Sequence, residues 1–367
     1  MKQPDTGTTI STHAASAARA DDPEALAKHA IKLLEQRIRN DFGLRVAMGA
    51  EVEFAVLPNQ ANLTDARFSL PDKLGSDFLY TASAARSQKQ RDRWFPESRR
   101  VNRTYRESPT MCSWQQMEVV LTHEPSRADG EPLKTDCITL GHTIAALRNH
   151  IKHMPRGLKN APTQEQQIDR FYWQQLRAHH IHEVRFNASI PSSNIHNGLH
   201  LNMSLIGADN CEPILQQPRM ATQLQNNLGY MMEENLYLLG SSYPAIERWR
   251  DHYGRRVTTF SQQIKKKVDY LENRLPAADS NPYYAIMLQL AGTYNALAES
   301  SEDASQCDPQ THHMDMLSPS LLMKEFNNGI LLKQTLNTME PGLGNRFYAA
   351  IAKTPPGHEK SALKMQR

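Results

Sequence analysis

Four stretches of the chain set carboxylate, imidazole, amide and guanidinium groups two residues apart, the spacing at which side chains share one face of a β-strand. The first is Gly49-Ala-Glu51-Val-Glu53-Phe54, in which Glu51 and Glu53 share a face while Val52 and Phe54 take the other. Two carboxylates so placed are roughly 7 Å apart and repel each other, so they either point into water or share a cation. The second, Gln116-Met-Glu118-Val-Val-Leu121, turns Glu118 away from Met117 and Val119. In the third, Leu199 to Leu205, His200, Asn202 and Ser204 line one face, with leucines and Met203 on the other. An ordinary solvated face and one that meets phosphate or metal both fit that trio. The fourth, Asp269-Tyr-Leu-Glu-Asn-Arg-Leu-Pro276, places Tyr270, Glu272 and Arg274 together. Glu272 and Arg274 suit a structural ion pair, or a metal ligand beside a phosphate clamp.

Together the four polar faces hold four glutamates, one histidine and one arginine. Hard divalent cations prefer carboxylate oxygen, and magnesium usually works with substrate phosphates. If the faces line one cavity, the chemistry they suit is metal-assisted phosphoryl transfer, with the arginine taking up developing charge. Periodicity does not show whether they converge.

The elements that must position these groups are legible from pattern. Asp22-Pro23 is a good cap and first-turn pair. Leu26, Ala30, Leu33, Leu34 and Ile38 recur at helical spacing, and Gly43 marks the end of that helix. A strand ending at Pro58 follows. Residues 59 to about 112 are polar, and their Arg-rich part (Arg86 to Arg106, around Trp94, Phe95 and Tyr105) reads as a solvated loop. Next come a strand from Gln116 to Leu121, a helix from Lys134 to His150 and a surface excursion from Lys152 to Arg177. Strands follow at Glu183 to Ser189 and Leu199 to Ile206, then a helical region ending at Gly240. A Lys-rich approach leads to the fourth strand. The helix opened by Asn281-Pro282 is apolar nearly all round, which predicts burial. A last helical stretch covers Ser318 to Ile351. Residues 1–21 and 356–367 read as mobile tails around one domain spanning 22–355.

Composition narrows the function classes. Hydrophobic residues make up 39% and charged residues 22% of 367, which suits a sizeable core, and the net charge of +3 gives no field to recruit nucleic acid. Cys112, Cys137, Cys211 and Cys307 form no CxxC pair, which argues against a zinc ribbon or a disulfide scaffold. There is no secretory signal and no run of about 18 apolar residues, so a cytoplasmic, non-membrane protein is expected. His179, His180, His182, His312 and His313 lack cysteine or carboxylate partners at suitable spacing and read as surface residues.

With these residues in view, the chain resembles the glutamine synthetase family, including the gamma-glutamyl-polyamine ligases. The most specific match is Glu272-Asn-Arg274 running into Asn281-Pro282-Tyr283, similar to the family's Glu-x-Arg strand and Asn-Pro-Tyr helix. Glu51-Val-Glu53 resembles its Glu-x-Glu strand, Gln116-Met-Glu118 its Gln-x-Glu segment, and Gly198-Leu-His200-Leu-Asn202-Met-Ser204 its Gly-x-His strand. Ser242-Tyr243 resembles the loop before the substrate arginine, and the motifs follow family order across residues 50 to 350. The resemblance implies an α+β catalytic domain shared with guanidino kinases, a curved antiparallel sheet with helices behind it. It implies ATP and Mg²⁺ or Mn²⁺, amino-acid and amine substrates, and an acyl phosphate formed before amine attack. Glu53 and Glu118 would hold one metal, and Glu51, His200 and Glu272 the other. Arg274 would contact the transferred phosphate, with Glu53 and Glu272 supporting catalysis, while Asn202 and Ser204 would face ATP.

The chain also departs from the family pattern. Only 50 residues precede Glu51, too few for the family's N-terminal β-grasp domain, so a homo-oligomer can form but a dodecamer with shared sites is not expected. Thr110 stands where the family has another metal-binding glutamate, with Glu107 close by but off register. The stretch from Tyr243 to Glu272 is shorter than the family's flap, leaving Arg255 and Arg256 to replace its phosphate-binding arginines. The expected substrate arginine reads Ala245, which leaves Arg248 or Arg250 to substitute. A catalytically degenerate relative that binds nucleotide or an amino acid in a regulatory role is the alternative to an active ligase.

Overall fold

The computed structural model describes residues 22–58, 94–104, 115–123, 137–153, 181–188, 197–208, 214–215, 218–240, 260–301 and 329–353. The Thr110 and Glu107 positions, the Ser242-Tyr243 loop, Arg248, Arg250, Arg255, Arg256, both expected tails and most of the 152–177 excursion lie outside them.

Helix α1 (Pro23–Phe42) is built as its sequence dictates. Asp22 caps it by accepting from the Glu24 amide at 3.2 Å, and Gly43 closes it at φ 63° with its N–H bonded to the Arg39 carbonyl. The chain then turns directly into β1 (Leu44–Pro58), the organising strand of the molecule. After β1 come β2 (Trp94–Thr104), β3 (Gln115–His123), α2 (Cys137–His153), β4 (Ile181–Arg185) and β5 (Leu199–Gly207). Helices α3 (Pro218–Glu233) and α4 (Leu236–Leu239) lead to the hairpin strands β6 (Ile264–Lys266) and β7 (Leu271–Asn273). Helices α5 (Pro282–Ser301), α6 (Ile330–Met339) and α7 (Leu343–Lys353) complete the order.

The seven strands form one sheet in the order β2-β3-β1-β5-β7-β6, with β4 also paired to β1. Every pairing is antiparallel. The apolar face is covered by helices. Val46, Met48, Val52, Leu199, Leu201 and Met203 are all buried, as are Ala285, Ile286, Leu288 and Leu290 of α5. The expected α+β architecture is therefore the one observed.

Three local expectations are corrected. The Arg-rich segment is not all loop, because Trp94–Thr104 pairs with β3 as an edge strand. Its run of arginines conceals any alternation, and an edge strand tolerates charge. The fourth polar strand is shorter than read. Its ladder covers Leu271–Asn273, while Lys267 to Tyr270 form the turn of a hairpin with β6, closed by the Lys267 N–H on the Tyr270 carbonyl at 2.8 Å. The C-terminal helical stretch is broken between Met339 and Leu343, where Pro341 has no N–H to continue α6.

Candidate active site

Register decides which polar residues meet. Antiparallel partners share a face, and the ladders pair Glu51 with His200, Glu53 with Glu118, Gly49 with Asn202, and Asn202 with Glu272. Glu51, Glu53, His200, Asn202 and Glu272 therefore fall on the side of the sheet away from the helices. Arg99 of β2 pairs with Glu118 in the ladder, and Lys265 of β6 stands opposite Glu272, which puts Lys265 on that face by register. Neither was singled out by sequence reasoning.

At the centre lie Glu51, His200 and Glu272, each with a ligand-capable atom within 4.8 Å of the others. His200 is only 3% exposed, and its Nδ1 lies 3.1 Å from Glu51 Oε2 and 3.6 Å from Glu272 Oε1. Asn202 donates from Nδ2 to Glu51 Oε1 at 3.1 Å, so it orients that carboxylate. Arg274 Nε lies 3.4 Å from Glu272 Oε1. On the other oxygen, Lys267 Nζ sits 3.0 Å from Glu272 Oε2, and that hydrogen bond raises the lysine's pKa. Two carboxylates and an imidazole meeting on one face is a donor set that suits a divalent ion such as Mn²⁺ or Mg²⁺.

The outer residues divide. Glu53 is buried, and its Oε2 accepts the Gly198 amide at 2.6 Å while its own N–H bonds the Gly198 carbonyl at 2.9 Å. Part of the Glu53 carboxylate thus ties β1 to the entry of β5. Glu118 is its register partner on β3. Ser204 donates to the Asp269 carbonyl at 2.6 Å and so fastens the β6–β7 turn to β5. Arg255 and Arg256 lie outside the described residues.

Side-chain amides hold the strands in place, and sequence reasoning missed the roles of the buried Asn197 and Asn273. Asn197 donates to the Asn187 carbonyl at 3.0 Å, and its own carbonyl accepts the Ala278 amide at 3.1 Å, locking the loop before His200 to the segment after Arg274. Asn273, between Glu272 and Arg274, points to the helix side. It donates to Gln289 Oε1 at 2.7 Å and accepts the Leu275 amide at 3.1 Å. Asn281 caps α5 through the Tyr283 amide at 2.9 Å and donates to Glu24 of α1 at 3.1 Å. The only sequence signal for these roles was an amide at a position where an apolar residue would otherwise pack.

Comparison with known proteins bears on the fold. No family model matches the sequence, and no curated protein matches it. Among solved structures, one described as a novel glutamine synthase homologue is similar at a TM-score of 0.52 and 16% identity, over 89% of this chain and 70% of that one. Another, apo GmaS without ligand, aligns at a TM-score of 0.47 and 12% identity, over 91% and 74% of the two chains, and carries no argument. The first likeness establishes a glutamine synthetase-like fold. No described helix is long and apolar enough to cross a membrane.

Proposed function

We propose that this protein is an ATP-dependent carboxylate–amine ligase acting through an acyl phosphate, with glutamate or a related amino acid as the acid. The observation that carries this reading is the convergence of Glu51, His200 and Glu272 beside Arg274 on the open face of a glutamine synthetase-like sheet. A divalent ion held by Glu51, His200 and Glu272 would supply charge neutralisation for the ATP phosphates. Glu53 and Glu118, paired across β1 and β3, are the candidate ligands of a second ion.

The chemistry asks little covalent work of the protein. A substrate carboxylate oxygen attacks the γ-phosphorus, and the bond to ADP breaks. The amine nitrogen then attacks the acyl carbon, phosphate leaves, and the nitrogen loses a proton. Positioning and electrostatic stabilisation dominate such a reaction. Arg274, two-thirds buried and aligned by Glu272, would stabilise charge on the transferring phosphoryl group. Asn202 keeps Glu51 in its orientation, and Asn273 keeps Glu272 and Arg274 in register from behind the sheet. The reading includes small-molecule amino-acid and amine partners.

The test is hydroxamate formation from ATP, glutamate and hydroxylamine in Mg²⁺ and then Mn²⁺. Wild type should form hydroxamate, and Glu272→Gln should lower the rate by about 10²–10³-fold. A regulatory relative is the second reading, favoured by Thr110 where a metal-binding glutamate would stand. Absence of turnover with glutamate and a panel of other acids, by a folded protein that still binds ATP, would establish it instead.

A further inference from the structure

The β6–β7 hairpin delivers a feature the metal reading does not use. Its turn is fixed at both ends, by the Lys267 N–H on the Tyr270 carbonyl at 2.8 Å and by Ser204 on the Asp269 carbonyl at 2.6 Å. From that anchored turn the Lys267 ammonium reaches Glu272 Oε2 at 3.0 Å. Glu272 Oε1 meanwhile faces Arg274 at 3.4 Å and His200 at 3.6 Å. Both oxygens of the proposed ligand are thus already satisfied by positive or hydrogen-bonding groups. A divalent ion coordinated by Glu272 must share or displace one of them.

The three partners differ in how easily they yield. His200 is buried and held against Glu51, so it stays. Arg274 is mostly buried, and its backbone N–H is tied to the Gln263 carbonyl at 3.3 Å. The Lys267 side chain is 45% exposed on a flexible four-carbon stem, so it can swing into water at small cost. An ammonium 3 Å from a largely buried carboxylate also repels an incoming cation.

We propose that Lys267 is a tethered cation that competes with the divalent ion for Glu272, so that metal binding requires its displacement. This rests on the metal reading of the Glu51–His200–Glu272 cluster. Lys267 fills the carboxylate's coordination while the ion is away, which keeps a buried negative cluster tolerable. It thereby weakens resting metal affinity.

The experiment is Mn²⁺ binding to the full chain, followed by titration calorimetry and by the electron paramagnetic resonance of free Mn²⁺. The set is wild type, Lys267→Gln, Lys267→Arg, Lys265→Gln and Glu272→Gln, each checked for folding by thermal melting. Lys267→Gln should bind Mn²⁺ about 5- to 10-fold more tightly at unchanged stoichiometry. Lys267→Arg should keep wild-type affinity. Lys265→Gln, which removes the same charge from the position opposite Glu272 on β6, should change it by less than about two-fold. Equal affinity in wild type and Lys267→Gln, with the site lost in Glu272→Gln, would overturn the competition and leave the metal site standing. Equal tightening by Lys265→Gln would reduce the effect to general field and also overturn it. If Glu272→Gln binds as many Mn²⁺ ions as wild type, the metal reading itself fails, and the proposal with it.

Discussion

Glu233 shows how one side chain records its surroundings. It lies at the end of α3, and its Oε1 is buried with no hydrogen-bond partner among the described residues. Burial, assisted by the neighbouring Glu234 charge, pushes its pKa from 4.5 up to about 7. The folded state therefore keeps a proton that the unfolded state gives up. The stability this group permits is complete below about pH 4.5 and is lost as pH rises toward 7. Wild type should lose about 2–3 kcal/mol from this group between pH 5 and pH 8, and Glu233→Gln should not. Urea midpoints of the two proteins at both pH values test this. Parallel pH profiles would show that Glu233 is solvated.

At the scale of elements, the site depends on how closely β1 and β3 approach. Gly49 lies two residues before Glu51, and a Cβ there would come within 2.7 Å of the Leu121 carbonyl oxygen. That oxygen belongs to a strand backbone and cannot swing aside. Gly49→Ala should therefore push β3 from β1, cost about 1–3 kcal/mol of stability, and weaken Mn²⁺ binding several-fold by moving Glu51. A variant with unchanged urea midpoint and Mn²⁺ affinity would show that the ladder relaxes around the methyl group. From the other face, the Asn273–Gln289 bond ties β7 to α5, while Asn281 caps α5 and ties it to Glu24 of α1. Helix α5 is thus the support that keeps Glu272 and Arg274 in place.

For the whole molecule, the site is a meeting of chain segments more than 200 residues apart, Glu51 to Glu272. The unfolded chain cannot assemble it, so an ion that binds there stabilises the fold by linkage. Mn²⁺ at about 100 times its dissociation constant should raise stability by about 2.7 kcal/mol over the chelator-treated protein. Thermal melting in EDTA and in Mn²⁺ measures this, and Glu272→Gln should abolish the increment. Equal melting in both would mean that no divalent ion prefers the folded form.

Sequence alone determined several local elements and the facing of Glu51, Glu53, His200, Asn202 and Glu272 along their strands. The capped helix α1, the alternation in β1 and β5, and the buried α5 all follow from periodicities of 3.6 and 2, which belong to short windows of chain. The motif order also pointed to the α+β fold that the structure has. What only the tertiary structure decided was convergence and partnership. Antiparallel register put Glu51 opposite His200 and Asn202 opposite Glu272, and no pattern within a single strand encodes the register between two distant ones. The same ladders turned Trp94–Thr104 from loop into edge strand and cut the fourth strand to a three-residue ladder. They also brought Lys267, one lysine of a charged run, onto the carboxylate at the centre of the site. Charge in a sequence has no direction until packing supplies one.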